Sequence, residues 1–149
     1  MVDARSENIA VEIVQRDSID PSEHSAVCAF LNENNESLGF QYAPEPLVLL
    51  LRPEGSQEII GGLFGSTNWG WLHVSILAVS PVLRGLGFGG RLMQEAHSRA
   101  RARGCHSAHL DTFSFQALGF YQGLGYEIFG TLDQFPDDEK RYFLRCKLT

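Results

Sequence analysis

Residues 71–103, WLHVSILAVS PVLRGLGFGG RLMQEAHSRARAR, decide how this chain is read. The first nine are mostly apolar, with β-branched residues among them, and predict a buried strand. Gly85, Gly87, Gly89 and Gly90 then stud a turn, and a helix grows directly out of those glycines. Its register follows from Phe88, Leu92, Ala96 and Ala100, which recur at the spacing of one helix face. Arg99, Arg101 and Arg103 crowd its last turn, where cations suit the helix dipole, and Gly104 supplies the stop. Such a helix start leaves several backbone N–H groups without intrahelical partners and aims them at one spot. The dipole adds about half a positive charge there. A spot of that kind binds phosphate, and the pyrophosphate of a cofactor is the expected ligand.

Upstream, residues 9–14 alternate as Ile-Ala-Val-Glu-Ile-Val and predict a first strand after a polar leader. Asp20-Pro21-Ser22-Glu23 is a helix start. Asp20 caps, Pro21 suits the first helical position, and Glu23 sits where a capping-box carboxylate reaches back. Val27, Phe30 and Leu31 give that helix an apolar stripe, residues 32–37 are polar enough to fray, and Gly39 ends it. Residues 47–51 and 59–64 are two apolar runs joined by Arg52-Pro53-Glu54-Gly55, and Gly61-Gly62 suggests a bulge in the second. Downstream, residues 107–111, 126–132 and 142–148 read as strands and 115–123 as a short helix. No linker, composition shift or repeat divides the chain. The expected architecture is a single α/β domain over residues 1–149, with a mixed, mostly antiparallel sheet of about seven strands flanked by helices.

Composition narrows the function. The formal charge of -6 leaves no basic footprint, so nucleic acid is not an expected partner. No apolar run reaches the roughly 18 residues of a membrane span and the N-terminus has no signal-peptide core, so no membrane partner is expected. Cys28, Cys105 and Cys146 are an odd count at scattered spacings, which reads as free thiols in a reducing, cytoplasmic compartment. Gly85-Leu86-Gly87-Phe88-Gly89-Gly90 matches the dinucleotide fingerprint G-x-G-x-x-G, with Asp111 ending a strand about 20 residues on. Two features oppose that reading. Ser80-Pro81-Val82-Leu83-Arg84 separate the strand from its first glycine, and only 38 residues follow Asp111, too few for the further parallel strands such a fold needs.

Arg84-Gly85-Leu86-Gly87-Phe88-Gly89, preceded by Leu77-Ala78-Val79-Ser80-Pro81, instead resembles the acyl-CoA-binding motif of GNAT-type N-acetyltransferases, Arg/Gln-x-x-Gly-x-Gly/Ala. A second block, Ala117, Phe120-Tyr121 and Leu124-Gly125-Tyr126, is similar to that family's Ala-x-x-Leu-Tyr-x-x-x-Gly-Phe segment, in the right order and at matching spacing. The resemblance implies acetyl-CoA as acyl donor, no metal, and an amine of a small molecule or peptide as acceptor. Dimers are common in the family, so it also allows a homodimer. It further implies a central splay between the strands at 71–79 and 107–111, with the pantetheine arm in the gap against free backbone groups of Leu77 and Val79.

On that resemblance the cofactor residues are Leu77, Ala78, Val79, Arg84, Gly85, Leu86, Gly87, Phe88, Gly89, Gly90, Ser114 and Tyr121. A Cβ at Gly87 or Gly89 would hold the backbone away from the pyrophosphate. Ser114 stands where the family often has asparagine. The Val79 N–H is the expected oxyanion donor. Tyr121 falls on the family's proton donor to the departing thiolate, and a phenol of ordinary pKa about 10 is protonated for that task. His73 stands where some members carry a base, with water-mediated deprotonation as the alternative. By strand alternation His73 and Ser75 share a face with Leu77 and Val79. His109 and Asp111 share parity on the neighbouring strand and read as structural or solvent-facing. Trp69, Trp71, Phe40 and Tyr42 suit either core or an acceptor pocket. A rival class is a module that binds CoA or acyl-CoA without turning it over.

Overall fold

The computed structural model describes residues 9–148; the polar leader and Thr149 lie outside the described residues. Contacts divide the chain after Tyr42 into two units. In the first, residues 9–14 form no strand. Apolar alternation marks a strand only where a neighbour supplies the ladder hydrogen bonds, and these residues make none among the described residues. Helix α1, Pro21–Ser37, begins where its sequence predicts. The Asp20 carboxylate accepts from the N–H groups of Ser22 at 2.9 Å and Glu23 at 3.0 Å. Glu23 does not reach back; it pairs with Arg16 at 2.8 Å. The helix runs through the stretch expected to fray and stops at Gly39, whose φ is +85°.

The second unit is built on a sheet in the order β1-β2-β3-β4-β6-β5. Its strands are β1 Glu45–Leu51, β2 Gly61–Asn68, β3 Trp71–Val79, β4 Ser107–Phe113, β5 Glu127–Asp133 and β6 Lys140–Lys147. The sheet is mixed and mostly antiparallel, as expected, with six strands among the described residues rather than about seven; residues 9–14 are not a strand. Only β3 and β4 are parallel, and they pair only at Trp71↔Ser107, Leu72↔Ala108 and His73↔His109. Beyond His73 the two strands part company, so a V-shaped gap opens in the middle of the sheet.

Helix α2, Phe88–Ala102, lies over one face and buries Leu92, Met93, Ala96 and Ala100. They meet Leu47, Leu63, Leu72, Val74, Ala108, Leu110 and Leu144 in one core. Each fully buried leucine contributes about 1.5–3 kcal/mol. The C-terminus closes with Gly104 N–H on the Arg101 carbonyl and Cys105 N–H on that of Ala100, both at 2.9 Å. The arginines of that last turn tie helix to sheet. Arg103 donates to the Pro46 carbonyl at 3.1 Å and the Thr67 hydroxyl at 3.2 Å, and Arg101 to the Leu148 carbonyl at 3.2 Å. Short α3, Leu118–Gly123, adds Tyr121 to the same core. No described helix is long and apolar enough to cross a membrane.

A bulge in β3 sets the geometry of everything that follows. Phe64 pairs with Ile76 and Gly65 with Val74, so Ser75 is an extra residue. The Ser75 hydroxyl donates to the Phe64 carbonyl at 3.0 Å. Leu72 and Val74 on one side of the bulge, and Leu77 and Val79 on the other, therefore all face the α2 core. His73 points to the opposite face. Simple alternation, which put His73 with Leu77 and Val79, fails because the extra residue reverses parity. The bulge also does not lie at Gly61-Gly62. Gly65 is the residue it requires, since a Cβ there would stand 2.4 Å from the His73 carbonyl oxygen.

Candidate active site

The cradle forms where β3 hands over to α2. Gly85 and Gly87 hold φ of +79° and +84°, a left-handed conformation that only glycine adopts cheaply. Gly87 is the N-cap, and the first helical bond runs from Arg91 N–H to the Gly87 carbonyl at 3.1 Å. The amides of Phe88, Gly89 and Gly90 thus point out of the helix end with no protein partner among the described residues. A cavity of about 360 Å³ lies against them, lined by Leu77, Ala78, Val79, Arg84, Gly85, Gly87, Phe88, Gly89, Gly90 and Phe120 among others. A Cβ on Gly85, Gly87 or Gly90 would meet no protein atom within 4 Å. These glycines keep space open for something other than protein, as an anion cradle must.

That cavity continues into the V between β3 and β4, a second space of about 640 Å³ that shares Leu77, Ala78, Val79 and Arg84 with it. Ser80 N–H bonds back to the Ile60 carbonyl at 2.8 Å. By alternation the N–H and carbonyl groups of Leu77 and Val79 therefore face the gap, where β4 no longer pairs with them. Across the gap stand Leu110, Asp111, Thr112, Phe115 and Tyr121. A glycine-lined helix mouth, a strand edge with amides unpaired by β4 and a buried phenol thus border two adjoining cavities.

The acetyltransferase (GNAT) family model matches residues 11–126. The chain belongs to the GNAT acetyltransferase family. It is 44% identical over 80 residues to a blasticidin-S acetyltransferase of Streptomyces morookaense, covering 53% of this chain and 59% of that protein. It is 40% identical over 75 residues to an acetyltransferase of Agrobacterium fabrum, covering 50% and 55% respectively. These matches therefore span less than two thirds of either relative. A crystal structure from Agrobacterium tumefaciens assigned as an acetyltransferase superposes with a TM-score of 0.85 at 28% identity, over 92% of this chain and 99% of that one.

Within this GNAT fold the expected site residues separate into two groups. Leu77, Ala78, Val79, Arg84, Gly85, Gly87, Phe88, Gly89, Gly90 and Tyr121 all line the joined cavities. Leu86, Ser114 and His73 do not. The Leu86 side chain is exposed, and Ser114 is spent elsewhere: its hydroxyl donates to the Glu139 carboxylate and accepts from Lys140 N–H. Tyr121 is 8% exposed. Burial, and then the Asp111 carboxylate, push its pKa above the ordinary phenol value. Its ring meets Tyr126 edge-on at 6.0 Å, and the Tyr126 hydroxyl lies 2.7 Å from His97 Nε2. Cys105 is buried, and burial raises its thiol pKa, which suppresses the thiolate a nucleophile needs.

His73 lies at the vertex of the V on the face away from α2, stacked on His109 with ring centroids 4.6 Å apart and planes 13° from parallel. Trp71 meets the His109 ring edge-on at 5.8 Å. Asp111, two residues further along that face of β4, accepts from Arg141 Nε at 2.9 Å. The Arg141 guanidinium lies 5.1 to 5.5 Å from the rings of Phe143, Phe135 and Phe113. The shared parity of His109 and Asp111 was visible in sequence; their approach to His73 follows from the parallel register, and the bulge turns Leu77 and Val79 to the other face.

Proposed function

We propose that the chain transfers an acetyl group from acetyl-CoA to a primary amine of a small molecule or peptide, by direct attack with both substrates bound together. The observation that carries this reading is the joined channel. It runs from the glycine cradle, past the free amides of β3, to a protonated phenol and out toward the opposite face of the sheet.

Acetyl-CoA supplies an activated acyl carbon; the remaining tasks belong to the protein. The amides of residues 85–90 and the Arg84 side chain hold the pyrophosphate. Leu77 and Val79 bind the pantetheine arm as an added strand would be bound. Val79 N–H receives the oxygen charge that builds as the amine attacks, from a fixed amide that needs no reorganisation. Tyr121, buried and held protonated, gives its proton to the departing sulfur. His73 takes the proton from the amine. The reversed parity favours that role, because cofactor and acceptor then approach from opposite faces of the sheet and do not compete for space. Free thiols at Cys28, Cys105 and Cys146 suit the reducing cytoplasm, where we place the reaction.

The Streptomyces relative is named for blasticidin S, so small amines are the first acceptors to try. Purified protein given acetyl-CoA and a panel of amines should release CoA thiol with at least one. Tight CoA binding with no thiol released by any amine would instead make the chain a CoA-binding module.

A further inference from the structure

The acetyl-transfer reading uses His73 but leaves its two neighbours at the vertex of the V unexplained: the His109 ring stacked on it and the Asp111 carboxylate. His73↔His109 is the last pair of the parallel ladder, so both imidazoles stand where the strands begin to separate. Along the same face of β4, Asp111 follows His109 at the i, i+2 spacing of about 7 Å. Asp111 is also a wall of the larger cavity. Its Oδ2 accepts from Arg141, while Oδ1 accepts no hydrogen bond among the described residues. Arg141 is itself fixed by three phenylalanine rings, so the carboxylate is held in one orientation with one oxygen left over.

We propose that Asp111 and the stacked His73–His109 pair form one proton-accepting device, in which Asp111 Oδ1 holds the acceptor's ammonium and the ring pair takes the proton that frees its amine. This rests on the acetyl-transfer reading and extends it to two residues, one that binds the acceptor and one that shares the proton. Two parallel rings in contact carry one charge far more easily than two. His109 is held below its ordinary pKa by burial, then by His73, against the opposing pull of Asp111. The other charged groups around the pair are already matched. Arg145, opposite His109 on β6, pairs with Glu127 of β5 at 2.9 Å, and Arg141 pairs with Asp111. On the β2 side His73 faces Ser66, which carries no charge.

The protons and electrons balance. The bound ammonium gives one proton to a ring nitrogen of the pair, and its lone pair forms the new C–N bond. The C–S bond breaks with its electrons on sulfur, which takes the Tyr121 proton. The second proton of the acylated nitrogen restores the Tyr121 phenol through solvent, and the imidazolium releases its proton to bulk water.

The test measures thiol release by the full chain between pH 6 and 10 with blasticidin S, spermidine and benzylamine. Wild type should show kcat/KM for the amine levelling off above the imidazole pKa. His109→Gln should lose about 10²-fold at pH 7, with the KM for acetyl-CoA unchanged. Its rate should then climb about tenfold per pH unit toward the amine's own pKa, because only amine already neutral in solution reacts. Asp111→Asn should raise the amine KM about tenfold, with a smaller effect on kcat. If His109→Gln does not fold, His73→Gln carries the same expected profile. Wild-type pH dependence and amine KM in both the histidine and the aspartate variants would overturn the device while leaving acetyl transfer standing. No thiol release by wild type with any of the three amines would overturn acetyl transfer itself.

Discussion

The two ends of the channel are built by opposite means. At the cradle, the protein presents backbone: amides at the mouth of α2, kept accessible by glycines whose missing side chains leave open space. At the vertex it presents side chains: two imidazoles and a carboxylate placed by strand pairing, while one extra residue in β3 turns Leu77 and Val79 to the other face. A backbone site depends on which residues are absent, and neighbouring side chains can change without moving it. A side-chain site depends on register, and a single insertion turns every later residue over.

The contrast breaks most sharply at Gly87. Its φ of +84° disfavours any L-residue by about 1–2 kcal/mol, and a β-branched side chain would project into the cavity. Gly87→Val should reduce acetyl-CoA affinity by more than about 10²-fold, while circular dichroism keeps the folded signature and Tm falls by only about 2–8 °C. Wild-type affinity measured by calorimetry would show that the cradle is not where the cofactor's phosphates lie. Next in size is Tyr121→Phe, which removes the buried hydroxyl and leaves the ring in its contact with Tyr126. Turnover should fall about 10²-fold with acetyl-CoA affinity little changed. Loss of affinity without loss of turnover would assign the phenol to binding.

Legibility from sequence divides along the same line. The cradle was readable because its chemistry is local: Arg84, the four glycines and the helix stripe lie within about five turns' length of chain, and their spacing states their geometry. The parallel strand–helix–strand unit and the core face of α2 followed from the same local periodicity. The vertex was not readable, because His73 comes from one strand and His109 and Asp111 from another. Their meeting depends on a parallel register that local pattern does not state, and a bulge reverses their relation to Leu77 and Val79. Hints existed in Gly65 inside a strand and in Ser75 interrupting an apolar run, but the glycines at 61 and 62 were the louder signal for a bulge in β2 and pointed to the wrong place. Ser114 shows a similar limit. Its place in a motif said nothing of the Glu139 and Lys140 groups that engage its hydroxyl. Residues 9–14 show the converse, a pattern that names a strand without supplying its partner.

A milder substitution sharpens the comparison by separating the ends. Gly65→Ala puts a Cβ against the His73 carbonyl, a backbone atom that cannot swing aside. Overpacking of this sort costs about 1–3 kcal/mol, and for a chain of this size each kcal/mol lowers Tm by about 2–4 °C. The displaced strand carries His73, so kcat/KM for the amine should fall while acetyl-CoA affinity holds. An equal loss in both would mean that bulge and cradle move as one body.

The smallest effect compares two imidazoles on opposite faces of the sheet unit. His97 projects from α2 to Tyr126, and His109 stands at the vertex. Burial holds both below the ordinary 6.5, helped by Arg101 at His97 and by His73 at His109. A group whose folded pKa is depressed in this way binds fewer protons folded than unfolded, between its folded value and 6.5. Stability from the neutral ring is therefore fully present above about pH 6.5 and is lost as pH falls toward the folded value. Tm should drop by a few degrees, about 2–4 °C for each kcal/mol lost, between pH 7.5 and 5. His97→Gln and His109→Gln should each make that decline shallower. The two rings share no partner, so the double variant should show the sum of the two changes. A single substitution that removed the whole acid-side decline would place the sensitivity at one face alone. Additive halves would show that the helix face and the open face titrate independently, as their separate construction requires.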